Sequence, residues 1–142
     1  MISDKKNILL LILFLSITGI INAQKVKLKK GIVYIDGNET LKYEKSFQDS
    51  ELLLFPLDGE EEIIFIKYDD NGTRGYNLMS DDFIKIHFIK QDLKLESGSH
   101  AEFWKQIIKW MYQNKIFNVD GTLNDEKVKK FVDRYHEDVK KI

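Results

Sequence analysis

The apolar and polar positions of this chain follow three successive patterns. An unbroken apolar stretch stands within residues 1–23, residues 25–96 alternate with a period of two, and residues 99–141 repeat with a period near 3.6. A period of two is typical of β-strands, and a period of 3.6 is typical of α-helices. The pattern therefore predicts a leader segment, a run of strands and then helices.

The strand region is predicted to be an antiparallel meander. Turn residues at Asp36-Gly37-Asn38, Asp58-Gly59 and Asp69–Gly72 separate short apolar segments at regular intervals. We expect about six to eight short strands, including one around Tyr76–Met79. Such a sheet curls to cover its apolar face.

The first strand alternates apolar and basic side chains. Val26 and Leu28 are apolar, and they are flanked by Lys25, Lys27 and Lys29. Lysines on a strand are typical of a sheet edge, where they discourage pairing with other chains. A contact between these lysines and a lipid or polyanion remains the alternative interpretation.

Two strands in the middle are apolar on both faces. Residues 52–55 and 63–66 do not alternate. A strand with one wet face would alternate, so both strands are predicted to be central and covered on both sides. A curled sheet or two packed layers would provide that cover.

The first helix is predicted to open at Ser99 and Glu102, which have the S-x-x-E spacing of a capping box. Its apolar side chains span a wider arc than a surface helix needs, so we expect burial against the sheet and the next helix. These side chains are Phe103, Trp104, Ile107, Ile108, Trp110, Met111 and Tyr112. An exposed aromatic strip that binds a partner is the alternative to core packing.

The second helix is predicted to be capped by Asn124 and to pack through one stripe. The stripe comprises Val128, Phe131, Val132, Tyr135 and Val139. Glu126–Lys130 and Glu137–Lys141 have the spacing of ion pairs on its wet side. The predicted fold class is α+β: a curled antiparallel meander, followed by a C-terminal two-helix hairpin packed on the sheet.

The N-terminal segment has the pattern of a cleavable signal peptide. Lys5 and Lys6 precede the apolar run Ile8–Ile21, and Ala23 provides a small residue before Gln24. A membrane span needs ~20 apolar residues, so this run is short for one, although a retained anchor is the alternative. We expect cleavage between Ala23 and Gln24, export to the periplasm or beyond, no membrane span afterwards, and a single domain over residues 24–142.

Composition and motifs exclude several kinds of chemistry. The chain has no cysteine, so it has neither a disulfide nor a catalytic thiol. Its 22 basic and 23 acidic residues are nearly balanced, which argues against nucleic-acid binding. The G-x-S-x-G elbow and the common glycine-rich phosphate loops are absent. No cofactor is expected.

One loop partly matches a calcium-binding loop. Asn118, Asp120 and Gly121 fall at the third, fifth and sixth places of an EF-hand pattern. The first and twelfth places, which need oxygen ligands, are Ile116 and Lys127. The segment is therefore predicted to be a connecting turn that binds no calcium.

Three histidines are the remaining candidates for chemistry. His136 begins an H-E-x-x-H pattern that lacks its second histidine, and His87 and His100 stand elsewhere in the chain. Convergence of the three on a metal is the alternative to separate surface roles. No residue is assigned as a catalytic, cofactor-binding or metal ligand.

Two segments carry a resemblance to a group of proteins. Gln24–Gly37 at the start, and Val119–Asn124 with Lys130–Tyr135 at the end, resemble small exported bacterial proteins whose signal peptides end in Asn-Ala-Gln. The resemblance implies export and a layout with strands first and helices last. No activity is assigned to that group.

These observations favour a non-catalytic binding or structural module of the cell envelope, with an envelope or extracellular protein as its partner. The alternatives are a small hydrolase with a non-standard site and a carrier of a small apolar ligand. A polar cleft that joins a histidine to paired acids would favour the hydrolase, and a dry internal cavity would favour the carrier.

Overall fold

The computed structural model describes residue 5, residues 24–71 and residues 82–141. The predicted signal peptide and the predicted strand around Tyr76–Met79 lie outside the described residues. The described part of the chain contains no helix that is both long enough and apolar enough to cross a membrane.

The described strands form one antiparallel sheet in which each strand pairs with the next along the chain. Two helices follow the sheet, so the predicted α+β meander with a C-terminal helical pair is confirmed. The sheet curls without closing into a barrel. The seven strands are β1 (Val26–Lys29), β2 (Ile32–Ile35), β3 (Asn38–Lys45), β4 (Glu51–Pro56), β5 (Ile64–Asp69), β6 (Phe83–Phe88) and β7 (Leu93–Ser97).

Two tight turns join the first three strands. Lys30 and Gly31 have φ of 50° and 79°, and Asp36 and Gly37 have φ of 52° and 83°. Positive φ at both central residues gives the twist that matches the flanking strands, and glycine adopts it without strain. The turn predicted at Asp36-Gly37 is confirmed.

The two doubly apolar strands are central, as predicted, but only one of their faces is fully covered. Leu52 and Leu54 are fully buried beneath the helices, whereas Leu53 and Phe55 on the other face are half-buried. Leu53 pairs across the sheet with Phe65, which is also half-buried. Their cross-strand packing supplies part of the cover that we expected from a second layer.

The first helix, α1, spans Trp104–Gln113. Its N-cap is Phe103, which makes no side-chain capping bond, so the capping box predicted at Ser99 and Glu102 is wrong. The physical reason is that the backbone N–H of Ser99 already lies 3.3 Å from the Glu137 carboxylate. The chain therefore continues past Ser99 before it becomes helical.

The second helix, α2, spans Asp125–Tyr135. The side chain of Asn124 accepts a hydrogen bond of 3.0 Å from the backbone N–H of Lys127, which confirms the predicted cap. Lys130 pairs with Glu126 at 2.9 Å, as predicted. Val139, Glu137 and Lys141 lie beyond the helix, so the stripe ends at Tyr135 and the predicted Glu137–Lys141 pair is wrong: Lys141 binds Glu96 instead, at 3.0 Å.

A single core fills the space between the concave face of the sheet and the helices. The helices contribute side chains that are at most 6 % exposed, namely Trp104, Ile107, Ile108, Met111, Val128 and Phe131. Helix α1 packs beside β1, and α2 packs beside β7. The pair of helices therefore bridges the two ends of the curled sheet.

The two edges of the sheet differ in their cover. At β7, the backbone of Glu96 donates to Nδ1 of His136 at 3.1 Å and accepts from the N–H of Glu137 at 2.9 Å. At the other end, no strand among the described residues pairs with the outer side of β1. An uncovered edge can pair with another chain.

Candidate binding surface

The most exposed aromatic side chain in the described residues lies just before α1. Phe103 is 78 % exposed, whereas Trp104, the next residue, is 6 % exposed and belongs to the core. Phe103 is extended, with φ −64° and ψ 154°, because it is the N-cap and not the first residue of the helix. Its ring therefore projects away from the core.

Trp104 anchors this part of the chain to the sheet. Its indole N–H donates a hydrogen bond of 2.9 Å to Asp49, and its ring lies 4.7 Å from that of Tyr68. A buried tryptophan that is bonded at its polar end has little freedom to move. Trp104 consequently fixes the position from which Phe103 projects.

The turn that carries Asp49 has a strained backbone. Gln48 and Asp49 follow β3 and have φ of 66° and 58°. Residues other than glycine adopt such values at a cost of about 1–3 kcal/mol each, and only when their surroundings hold them there. The bond from Trp104 and an ion pair with Lys45 at 3.4 Å hold Asp49 in place.

A groove with acidic walls lies on one side of Phe103, and we name it the Tyr68 groove. Its volume is about 580 Å³, and its lining includes Tyr68, Asp49, Asp82, Glu102, Phe103 and Trp104. Burial, followed by the negative charges of Glu102 and Asp49, raises the pKa of Tyr68 to about 12. The Tyr68 hydroxyl is therefore neutral at physiological pH, and it can donate a hydrogen bond.

A second groove, the lysine groove, lies on the other side of Phe103 and follows β1. Its volume is about 620 Å³, and its charged lining consists of four lysines and one aspartate. These residues are Lys25, Lys27, Lys45, Lys105 and Asp49. An adjoining groove of about 400 Å³ extends it along α1 and adds Lys109. Phe103, the Tyr68 groove and the lysine groove together form what we call the Phe103 surface.

A polar cluster lies away from this surface, where β7 meets the C-terminal segment. The hydroxyl of Ser97 donates to Glu137 at 2.9 Å and lies 3.2 Å from Nδ1 of His100. The imidazole of His100 stacks on Trp110 at 3.8 Å between ring centroids. Burial alone would raise the pKa of Glu137, but hydrogen bonds from Ser99, Ser97 and the Gly98 backbone outweigh it and hold that pKa below its usual value.

This cluster combines serine, histidine and carboxylate in an order that does not activate a nucleophile. A catalytic serine gives its proton to histidine, and the carboxylate then supports the histidine. Here the carboxylate of Glu137 accepts directly from Ser97, so Nδ1 of His100 can pair with that hydroxyl only as a donor. Ser97 is also 0 % exposed, and a substrate cannot reach its oxygen in this arrangement.

The other histidines serve separate contacts. His87 lies 3.0 Å from Asp92 across the β6–β7 turn, and His136 accepts from the backbone of Glu96. No group of three or more potential metal ligands converges within the residues that the structure describes. His100 and His136 both lie near the end of β7, whereas His87 stands apart from them.

The turn that partly matches an EF-hand is closed by its own side chains. Asp120 accepts hydrogen bonds from the backbone and the hydroxyl of Thr122, at 3.0 and 2.6 Å. Asn118 donates to the same hydroxyl at 3.0 Å. Hydrogen bonds from Thr122 lower the pKa of Asp120, which stabilises the carboxylate in this turn. The side chains at the third and fifth places of the EF-hand pattern, Asn118 and Asp120, therefore stabilise the connection between α1 and α2.

Gln24, the residue predicted to follow the cleavage site, lies beside the lysine groove. Gln24 is half-buried and lines the extension of that groove, while Ala23 lies outside the described residues.

Sequence reasoning missed Phe103 as a surface residue, because the predicted helix began too early and assigned its ring to the core. Phe103 lacks a capping side chain, so no local signal marks the observed helix start.

Comparison of the chain with protein-family models, with curated proteins and with solved structures finds no match.

Proposed function

We propose that this protein is an exported, non-catalytic binding module that docks a partner protein through the Phe103 surface. The observation that carries the proposal is the exposure of Phe103, 78 %, beside the anchored side chains of Trp104 and Tyr68. When anchored neighbours fix the backbone of an exposed aromatic residue, that residue loses little conformational freedom on binding. Such residues contribute much of the binding energy of protein interfaces.

The charges around Phe103 support a protein partner over a small apolar ligand. The two grooves on either side of the ring carry opposite charge, which gives an interface orientation as well as attraction. A carrier would instead use the space between sheet and helices, and that space holds side chains such as Ile107, Ile108 and Met111, all at most 1 % exposed. The pattern of packing favours a surface function.

The polar cluster at Ser97 gives the hydrolase alternative little support. The hydroxyl of Ser97 is buried and bonded to Glu137, as described above. The same contacts bind the C-terminal segment to the sheet, which is a structural role. We therefore propose binding as the function and leave Ser97, His100 and Glu137 out of the binding surface.

The test compares two exposed apolar residues that lie at opposite ends of α1. Phe103 precedes the helix, and Val119, which is 110 % exposed, follows it. We expect a partner captured from envelope extract by the wild-type protein to be retained by Val119→Ala and lost by Phe103→Ala. Equal retention by both variants would place the interface elsewhere.

A hydrolase screen of the purified protein completes this test. We expect no turnover in a broad set of ester, peptide and glycoside substrates. Turnover that disappears on substitution of His87, His100 or His136 would reject the binding proposal.

Export is part of the proposal, and it rests on the N-terminal sequence pattern. We expect the intact mass of the protein from its producing cells to match a chain that begins at Gln24, with or without cyclisation of that glutamine. A full-length product that remains with the membrane fraction would contradict export by cleavage.

A further inference from the structure

The backbone of β1 presents N–H and C=O groups at the edge of the sheet that no described strand pairs with. The N–H of Asp36 donates to the carbonyl of Lys25 at 2.9 Å, and Lys27 lies opposite Tyr34. In an antiparallel pair the residues that bond to the neighbouring strand alternate with residues whose N–H and C=O point away. The N–H and C=O groups of Val26 and Leu28 therefore point outward from the sheet.

At the β7 edge of the sheet, the chain bonds the outward backbone groups of the edge strand to another of its own segments. There, both outward backbone groups of Glu96 are bonded to the segment that follows α2, through His136 and Glu137. Within residues 24–71 and 82–141 no segment does the same for Val26 and Leu28. Among the described residues, the outward backbone groups of β1 therefore have no backbone partner.

The side chains beside β1 determine what such a strand would carry. On the outer face of the sheet stand Lys25, Lys27 and Lys29, which surround a groove of about 410 Å³ with Tyr34. On the inner face stand Val26 and Leu28, and the lysine groove, which follows the edge of the sheet, also includes Phe103 and Trp104. A strand places successive side chains on opposite faces, so the matching sequence alternates acidic and apolar residues.

We propose that the Phe103 surface binds an extended polypeptide segment of the partner, with alternating acidic and apolar residues, which adds to the sheet as a further antiparallel or parallel strand beside β1. This inference deepens the proposed function and rests on it. Backbone bonds to Val26 and Leu28 supply affinity, and the lysines and Phe103 supply selectivity.

The lysines on β1 also explain how the edge stays free of unwanted pairing. A neutral or basic strand would force Lys25, Lys27 and Lys29 to lose water or meet like charge, and both outcomes are costly. An acidic strand removes that cost through opposite-charge pairs across the new ladder. The same side chains therefore repel most strands and select one class.

The experiment measures binding of a fluorescent hexapeptide of alternating glutamate and valine, blocked at both ends, to the protein as recovered from its producing cells. We expect saturable binding that weakens about tenfold or more when salt rises from 0.1 to 1 M, where the Debye length falls from ~10 to ~3 Å. The peptide with lysine in place of glutamate should not bind. Failure of the acidic peptide to bind at about millimolar concentration would overturn the inference.

Two changes separate strand addition from simple charge attraction. A peptide N-methylated at alternate residues, on the side that faces β1, keeps its charge and loses the donors of the new ladder. Leu28→Pro removes the outward N–H of β1 and spares the bonds to β2, which lie at the neighbouring positions. We expect each change to weaken binding about tenfold or more. Equal binding of the two peptides would overturn strand addition, even if Leu28→Pro failed to fold.

A charge-reversal pair locates the site. Lys27→Glu places a negative charge beside the added strand, whereas Lys129→Glu places one on an exposed position of α2. We expect the acidic peptide to bind the Lys129→Glu variant as tightly as it binds wild type. Its affinity for the Lys27→Glu variant should be lower by about tenfold or more. An equal loss of affinity in both variants would show that binding follows net charge alone, and would contradict a binding site beside β1.

Other occupants of the edge are outcomes that contradict the inference. The loop between β4 and β5 carries Glu60, Glu61 and Glu62, all exposed, so a second copy of this chain could supply acidic residues. Concentration-dependent self-association that Lys27→Glu abolishes would assign the edge to a second copy. Binding of anionic vesicles or single-stranded DNA that competes with the peptide would assign it to a polyanion.

Failure of this inference is distinguishable from failure of the proposed function. If Phe103→Ala loses the envelope partner but the wild-type protein does not bind the acidic peptide, the binding function is kept and the addition of a strand beside β1 is rejected. Peptide binding that Phe103→Ala leaves unchanged would reject the role of Phe103 in holding the segment.

Discussion

Ser97 donates a hydrogen bond of 2.9 Å to Glu137, which stands 40 positions later in the chain. The same carboxylate accepts from the backbone N–H of Gly98 at 3.0 Å. These bonds bind the segment that follows α2 to the turn that follows β7. As a result, the edge of the sheet at β7 is covered, whereas no strand of residues 24–71 and 82–141 covers the edge at β1.

The first prediction concerns the stability supplied by that contact. Glu137→Ala leaves the buried hydroxyl of Ser97 without its acceptor, and we expect a loss of about 1–3 kcal/mol in the free energy of unfolding. Asp138→Ala, at a side chain that is 106 % exposed, should change it by less than about 0.5 kcal/mol. Denaturant unfolding measures the free energy of unfolding of both variants. Equal effects would contradict a stabilising contact at Glu137.

The second prediction concerns the pH dependence of the same contact. Because the folded-state pKa of Glu137 lies below the usual 4.5, its contribution to stability is present above pH 4.5 and is lost as the pH falls through the folded value. We expect the difference in unfolding free energy between wild type and Glu137→Gln to shrink over that range. A difference that stays constant down to pH 3 would contradict the prediction.

The third prediction concerns the packing of α2. Phe131 is 2 % exposed and contacts the rings of Trp110 and Phe88, so Phe131→Ala should cost about 3–5 kcal/mol. Lys130, on the wet side of the helix with its side chain 66 % exposed, should tolerate alanine within about 0.5 kcal/mol. Similar midpoints for the two variants in urea would mean that the helix packs through another face.

The fourth prediction concerns Tyr68. Because burial and nearby carboxylates raise its pKa to about 12 from the usual 10.0, the neutral hydroxyl is favoured in the folded state. The stability that this preference contributes is therefore fully present below pH 10.0 and is lost as the pH rises from 10.0 through about 12. Absorbance titration of wild type minus Tyr68→Phe should isolate this group, and Glu102→Gln should lower its midpoint. A difference curve centred at 10 would show that Tyr68 is solvated.

Local patterns were enough to predict the sheet and the second helix. The turn predicted at Asp36-Gly37 needs positive φ, and the flanking alternation determines which side chains are buried. Asn124 carries its capping signal within three residues of the group that it bonds. Features of this kind depend on neighbours in the sequence, so periodicity and turn chemistry reveal them.

Long-range contacts explain the features that the sequence did not reveal. Ser99 and Glu102 have the spacing of a cap, but Glu137 binds that stretch and delays the helix to Trp104. The delay exposes Phe103, and no local pattern indicates it. The lysine groove combines β1, the β3–β4 turn and the start of α1, segments whose proximity only the folded chain establishes.

The most direct measurement of the binding surface is a titration of backbone amide shifts by nuclear magnetic resonance, with the alternating glutamate–valine peptide as ligand. We expect the largest shifts at the outward N–H groups of Val26 and Leu28 and at the indole N–H of Trp104, with Glu96 unchanged. Shifts that concentrate at Glu96 and the rest of β7, or that leave β1 unaffected, would contradict a binding surface at Phe103 and β1.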